Sequence, residues 1–267
     1  NNEVNLKASI RDESEQNQEG GFRKIESKFF HYEDNNFNFD LVSNGMAVKN
    51  IQITNVNKVA TQPYNFDYVE GLFPTQFDGQ TLQFDLVQND KNNFSGVAYL
   101  SGGRTVEKKV FVNSESFTLE ISIKFLGFGD KKNFKVRHPL VAKIQDPKKA
   151  IFFLPAFDRN EFYFKDINGE ERRTLATDEK TEGPEKLFST TLVSLSDHYF
   201  SIAFLNTGSL IPNTNFIQNN ENVSIRVLHN FDSQVKADEV KFSVFIGPKR
   251  LDLIEASDNG RLIDLIN

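Results

Sequence analysis

The sequence predicts an all-β sandwich or barrel. Two observations carry that reading. Short segments alternate apolar and polar residues with period two, and dipeptides suited to tight reversals lie between them. There is no fixed-period repeat of the kind that marks a propeller or solenoid, and no strand–helix alternation of the α/β type.

Residues 1–21 are polar and without periodicity, and read as a flexible N-terminal linker. Residues 22–247 read as the β region. Asn44-Gly45, Asp78-Gly79, Gly102-Gly103 and Asn168-Gly169 each lie between β-rich runs. A two-residue reversal needs positive φ, which Asn, Asp and Gly tolerate. The clearest strand is Phe117 to Phe125. Phe117, Leu119, Ile121, Ile123 and Phe125 share one face, while Thr118, Glu120, Ser122 and Lys124 share the other. Thr81 to Val87, Val223 to Leu228 and Val240 to Ile246 repeat the pattern. Phe29-Phe30-His31-Tyr32 and Phe162-Tyr163-Phe164 put aromatics on both faces, which suits either a sheet buried on both sides or one face lining a groove.

Residues 248–267 read as helical. Pro248 suits the first turn of a helix, and Leu251 and Ile254 fall at helical spacing with Leu253 beside them. The expectation is a helix over 248–257, a break at Asn259-Gly260, and the start of a second apolar helix at Arg261.

Length and composition narrow the function. A chain of 267 residues can form one large β domain or two small ones. Its net charge of -6 offers no general attraction for a phosphate backbone, so nucleic acid is not an expected partner. The densest basic cluster, Lys131 to Arg137, reads as a solvated turn and strand edge. The chain has no cysteine, which excludes disulfides, thiolate nucleophiles and Cys-ligated zinc. No apolar run approaches the roughly 20 residues of a spanning helix. Nothing points to a stable oligomer, and a monomer is expected.

Candidate chemistry is sparse. His31, His138, His198 and His229 are scattered, with no two within five residues, so no local metal-ligand pair exists. In Asp197-His198-Tyr199-Phe200 a strand would turn Asp197 and Tyr199 one way and His198 and Phe200 the other, so Asp and His are not poised as a dyad. There is no G-x-S-x-G nucleophile motif, and Ser101-Gly102-Gly103-Arg104 lacks the Lys-Ser/Thr of a phosphate loop. No catalytic residue, cofactor or metal is expected. Sugar platforms favour exposed aromatics, Trp above all; this chain has no Trp, and its 27 Phe mostly occupy alternating, core-type positions.

Two segments together resemble the large periplasmic domain of the YidC family of membrane-protein insertases. Leu195 to Phe204, with Asp197, Tyr199 and Phe200, resembles that family's aromatic "D-x-Y-F-x-x-A" strand. Phe245 to Leu251, with Gly247-Pro248-Lys249, resembles the "G-P-K-x-x-x-L" stretch after the domain's last strand. Phe39 to Gly45 and Ile51 to Asn55 fit the opening hairpin more loosely. One departure is Val193-Ser194, where the family often has Gly-Trp.

The resemblance implies an antiparallel β-supersandwich of the galactose-mutarotase-like type with short C-terminal helices. It implies no enzymatic activity, and residence at the periplasmic face of the inner membrane. The implied partners are accessory subunits of the Sec translocon and nascent membrane proteins. It also implies that this chain is a fragment, cut in the approach to an absent membrane core. On that reading Gly247, Pro248, Lys249, Arg250, Leu251, Leu253 and Ile254 form the anchoring segment. Leu251, Leu253 and Ile254 would pack on the sheet, and Lys249 and Arg250 would meet lipid head groups or a partner. The alternatives are a carbohydrate-binding or mutarotase-like sandwich, and a purely structural spacer.

Overall fold

Alternation along the chain becomes strand after strand. The structure, a computed structural model, describes residues 27–54, 64–65, 68–129, 133–143, 161–175, 187–196, 199–218, 222–256 and 262–263. The strands are β1 (Phe29–Glu33), β2 (Phe37–Val42), β3 (Ala47–Ile53), β4 (Tyr64–Asn65), β5 (Tyr68–Leu72), β6 (Gln76–Phe77) and β7 (Gln80–Thr81). There follow β8 (Asp85–Gln88), β9 (Asn93–Tyr99), β10 (Thr105–Asn113), β11 (Thr118–Leu126) and β12 (Phe134–Lys143). The rest are β13 (Glu161–Asp166), β14 (Glu171–Leu175), β15 (Phe188–Ser196), β16 (Phe200–Asn206), β17 (Asn213–Gln218), β18 (Asn222–Phe231) and β19 (Glu239–Pro248), before the helix α1 (Leu251–Ala256).

All the pairings are antiparallel. One layer runs β1-β2-β3-β5-β12-β18-β17, with β4 beside β3 and the β6–β7 hairpin beside β12. The other runs β8-β9-β10-β11-β19-β16-β15-β13-β14. The layers join where Phe188 and Ser189 of β15 pair with Thr214 and Asn213 of β17.

The core lies between the layers, because each strand turns its apolar alternates inward. On β11, Leu119, Ile121, Ile123 and Phe125 are buried while Glu120 and Lys124 are exposed. Across the gap, the Phe125 ring centroid lies 5.1 Å from that of Phe134 on β12 and 4.8 Å from that of Phe231 on β18. Phe204 on β16 and Phe242 on β19 stack at 4.6 Å. Phe162, Tyr163 and Phe164 are all buried, so β13 is covered on both faces. The four expected reversals are present, each carrying glycines at positive φ: Gly45, Gly79, Gly102, Gly103 and Gly169.

Several expectations change. Thr81 to Val87 is not one strand. Gln83 leaves the register to bridge Asn44, so the run breaks between β7 and β8. Lys135 and Arg137 lie not on an edge but on the central strand β12, turned to its outer face, while Lys131 and Lys132 lie outside the described residues. Pro248 does not open a helix. It ends β19 opposite Phe200, at a strand terminus where a missing N–H costs no ladder bond, and the helix starts at Leu251. The expected linker 1–21, the Asn259-Gly260 break and most of the expected second helix lie outside the described residues.

One inward position breaks the apolar rule. On β10, Val106, Val110 and Val112 are buried as expected, and so is Lys108. Its Nζ donates to Met46 O at 2.9 Å, Thr75 Oγ1 at 2.9 Å, Gly45 O at 3.1 Å and Phe73 O at 3.3 Å. Four oxygens suit an ammonium, although burial pushes the lysine down to about 7. Replacing Lys108 with Met should remove a donor from all four oxygens, of which Gly45 O keeps the Thr75 N–H, and cost about 3 kcal/mol. Urea unfolding should show a lower midpoint at an unchanged m-value.

Candidate functional site

The outer face of the β1–β2–β3 ribbon carries a polar cluster. Its origin is the reversal at Asp34-Asn35-Asn36, where Asp34 Oδ1 accepts the Asn36 N–H at 2.7 Å. This turn sets the register in which His31 lies directly opposite Asp40. Alternation sends Tyr32, Phe39 and Leu41 into the core and leaves His31 and Asp40 outside.

The two side chains meet, with His31 Nδ1 2.8 Å from Asp40 Oδ1. A carboxylate only accepts, so Nδ1 carries the proton in this contact. The other carboxylate oxygen, Oδ2, accepts from Asn50 Nδ2 at 2.7 Å. Asn50 reaches it because the β2–β3 register shifts between Asn38 and Asp40, and Asn50 takes a φ of 53°. Glu33 Oε2 lies 4.0 Å from His31 Nε2, and Lys49 lies opposite Asp40. An oriented imidazole is thus open to solvent between two carboxylates and on the same face as an ammonium. That arrangement can bind a hydroxyl-rich ligand and move a proton at Nε2.

Two further histidines meet inside the sandwich. His138 on β12 and His229 on β18 are fully buried, with ring centroids 5.5 Å apart. Among the described residues none of their four ring nitrogens has a hydrogen-bond partner.

The residues singled out at the C-terminal end are dispersed in role. Gly247 packs tightly: a Cβ there would come within 2.9 Å of Phe117 Cβ. Lys249 N donates to Tyr199 O at 2.7 Å, which continues the β16–β19 pairing beyond Pro248. Arg250 Nε donates to Asp252 Oδ1 at 3.1 Å, and the guanidinium holds that carboxyl below its usual range. Ile254 is buried and Leu253 half-buried against the core, as expected, but Leu251 is 52% exposed, because a six-residue helix turns only one side to the sheet. In the aromatic motif Phe200 is buried and Tyr199 is 65% exposed, since Tyr199 precedes the strand and only Phe200 enters it. Asp197 and His198 lie outside the described residues.

No family model matches the chain, and no curated protein matches it. Solved structures do. A "putative mutarotase" of Salmonella typhimurium aligns over 90% of this chain and 97% of its own, with a TM-score of 0.51 and 8% identity. A "putative aldose 1-epimerase" of Escherichia coli aligns over 83% and 99%, with a TM-score of 0.49 and 10% identity. On the first of these the fold is of the galactose-mutarotase-like type, as expected.

The exclusion of enzymatic activity is corrected by the same findings. The chain shares its fold with a protein described as a "putative mutarotase". The exclusion was what the resemblance implied, yet an imidazole and a carboxylate do converge at His31 and Asp40. The signal was in the sequence: a reversal centred on Asn35-Asn36 places His31 opposite Asp40. Disrupting the dyad is expected to leave the fold intact. His31→Ala should shift the thermal midpoint by no more than about 2 °C, as a calorimetric scan would show, because exposed substitutions stay within about 0.5 kcal/mol.

Proposed function

We propose that this chain is a carbohydrate-recognising sandwich that takes an aldose on the outer face of β1–β2–β3. The observation that carries the reading is the His31–Asp40 dyad, oriented and open to solvent. The shared fold with a chain described as a mutarotase supports it. Asp40 would fix the His31 tautomer, and Nε2 would take the proton of an anomeric hydroxyl. The Lys49 ammonium, on the same face, would stabilise the ring oxygen as the ring opens. Asn50 and Glu33 would hold neighbouring hydroxyls.

Polarimetry on freshly dissolved α-D-glucose and α-D-galactose tests the activity, and titration calorimetry tests binding. The expected result is faster approach to the equilibrium rotation, cut about 100-fold or more by His31→Ala and by a smaller factor by Asp40→Asn. If neither sugar binds and rotation is unaffected by the protein, the reading falls.

A second reading is favoured by the exposed pair Tyr199 and Leu251, which flank Lys249 and Arg250 at the end of β19. With the YidC resemblance, this corner would be a docking surface for Sec accessory subunits or nascent membrane proteins at the periplasmic face of the inner membrane. Tyr199→Ala with Leu251→Asp should then abolish capture of those subunits in a pull-down while leaving thermal stability unchanged. Undiminished capture would exclude this corner.

A further inference from the structure

The interior histidines have no part in the outer-face site, and their surroundings are unusual for imidazole. His138 and His229 replace apolar residues in otherwise apolar inward rows: Phe134, Val136 and Leu140 on β12, and Val223, Ile225, Val227 and Phe231 on β18. From the opposite layer the facing groups are rings. Phe242 of β19 lies 4.8 Å from His138, and Phe204 of β16 lies 6.2 Å from His229. Phe73, just after β5, closes the cluster at 5.8 Å from Phe204 and 6.4 Å from Phe242. The ionisable groups acting on His138 are His229 and, from β10, Lys108. Both carry or acquire positive charge. Among the described residues no Asp or Glu is buried, so no anion balances a protonated ring.

We propose that the His138–His229 pair, with the buried Lys108, is an acid-sensitive latch: the two layers stay closed only while both imidazoles are neutral. The physical cause is direct. Among the described residues neither ring has an acceptor for a second N–H, and each added proton would be a further unpaired cation beside Lys108. Burial holds His229 down to about 3, and burial together with the charges of His229 and Lys108 holds His138 well below the ordinary histidine value.

The direction of the effect follows. In the unfolded chain both rings take a proton as pH falls through about 6.5, while in the folded chain they do not, so the unfolded state binds more protons and stability drops. With two such groups, the unfolding constant should rise up to about 100-fold for each pH unit below about 6. Exposed carboxylates titrate lower, near pH 4, so the window from about pH 6 to about pH 5 reports the histidines.

Urea unfolding across that window, on the wild type and on His138→Phe with His229→Phe, tests the latch. The wild type should show the steep slope. The double variant, with rings of similar volume among Phe204 and Phe242, should lose most of it. An equal slope in both proteins would overturn the proposal. If the double variant does not fold, proton NMR of the wild-type histidine rings decides instead. Two of the rings should keep constant shifts between about pH 7 and about pH 4.5, and midpoints near 6.5 for every ring would overturn it.

Discussion

The constraint on which much of the sandwich depends is the Lys108 ammonium. It stands on β10 in one layer and binds backbone oxygens of the other, at the β2–β3 turn and at the segment after β5. Those two pieces of chain also bind each other, since Thr75 N–H donates to Gly45 O at 2.8 Å. Gly45 can sit there only as glycine, because a Cβ would come within 2.6 Å of Pro74. A buried charge is costly unless fully paired, and four acceptors supply that pairing. The result is a polar rivet through an apolar core, and it holds the base of the β2–β3 hairpin that carries Asp40, Lys49 and Asn50.

The outer-face cluster therefore rests on a rigid support. The inward sides of the same strands, Tyr32, Phe39 and Leu41, pack into the core, and Tyr32 stacks on Phe39 at 4.9 Å. Side chains on such strands have little freedom to drift, so the His31–Asp40 contact needs no ligand to form it. Preorganisation of this kind is what proton transfer requires.

Much of the fold was legible because it depends on local pattern. The Phe117 to Phe125 strand and the four glycine reversals follow from period two and turn chemistry, while the aromatic run of β13 left two readings open that its burial on both faces decides. What escaped is what depends on pairing across the chain. Gln83 broke the Thr81 to Val87 strand because Asn44 claimed it. Pro248 joined β19 because Phe200 lay opposite. Lys108 looked like an ordinary member of Glu107-Lys108-Lys109, and nothing local marks it as buried, since its acceptors lie 33 to 63 residues away.

The histidines make the same point about function. Spacing along the chain excludes only a local metal-ligand pair, because a strand's neighbour is set by register, not by sequence distance. His31 is nine residues from Asp40 and touches it; His138 and His229 are far apart in sequence, yet their ring centroids lie 5.5 Å apart in the core. Their environments then divide one chemistry into two. One ring meets a carboxylate at the surface, while the buried pair among phenylalanines resists taking a proton. A scattered set of histidines in a β protein is therefore not evidence against a site until each has been placed on its face and given its cross-strand partner.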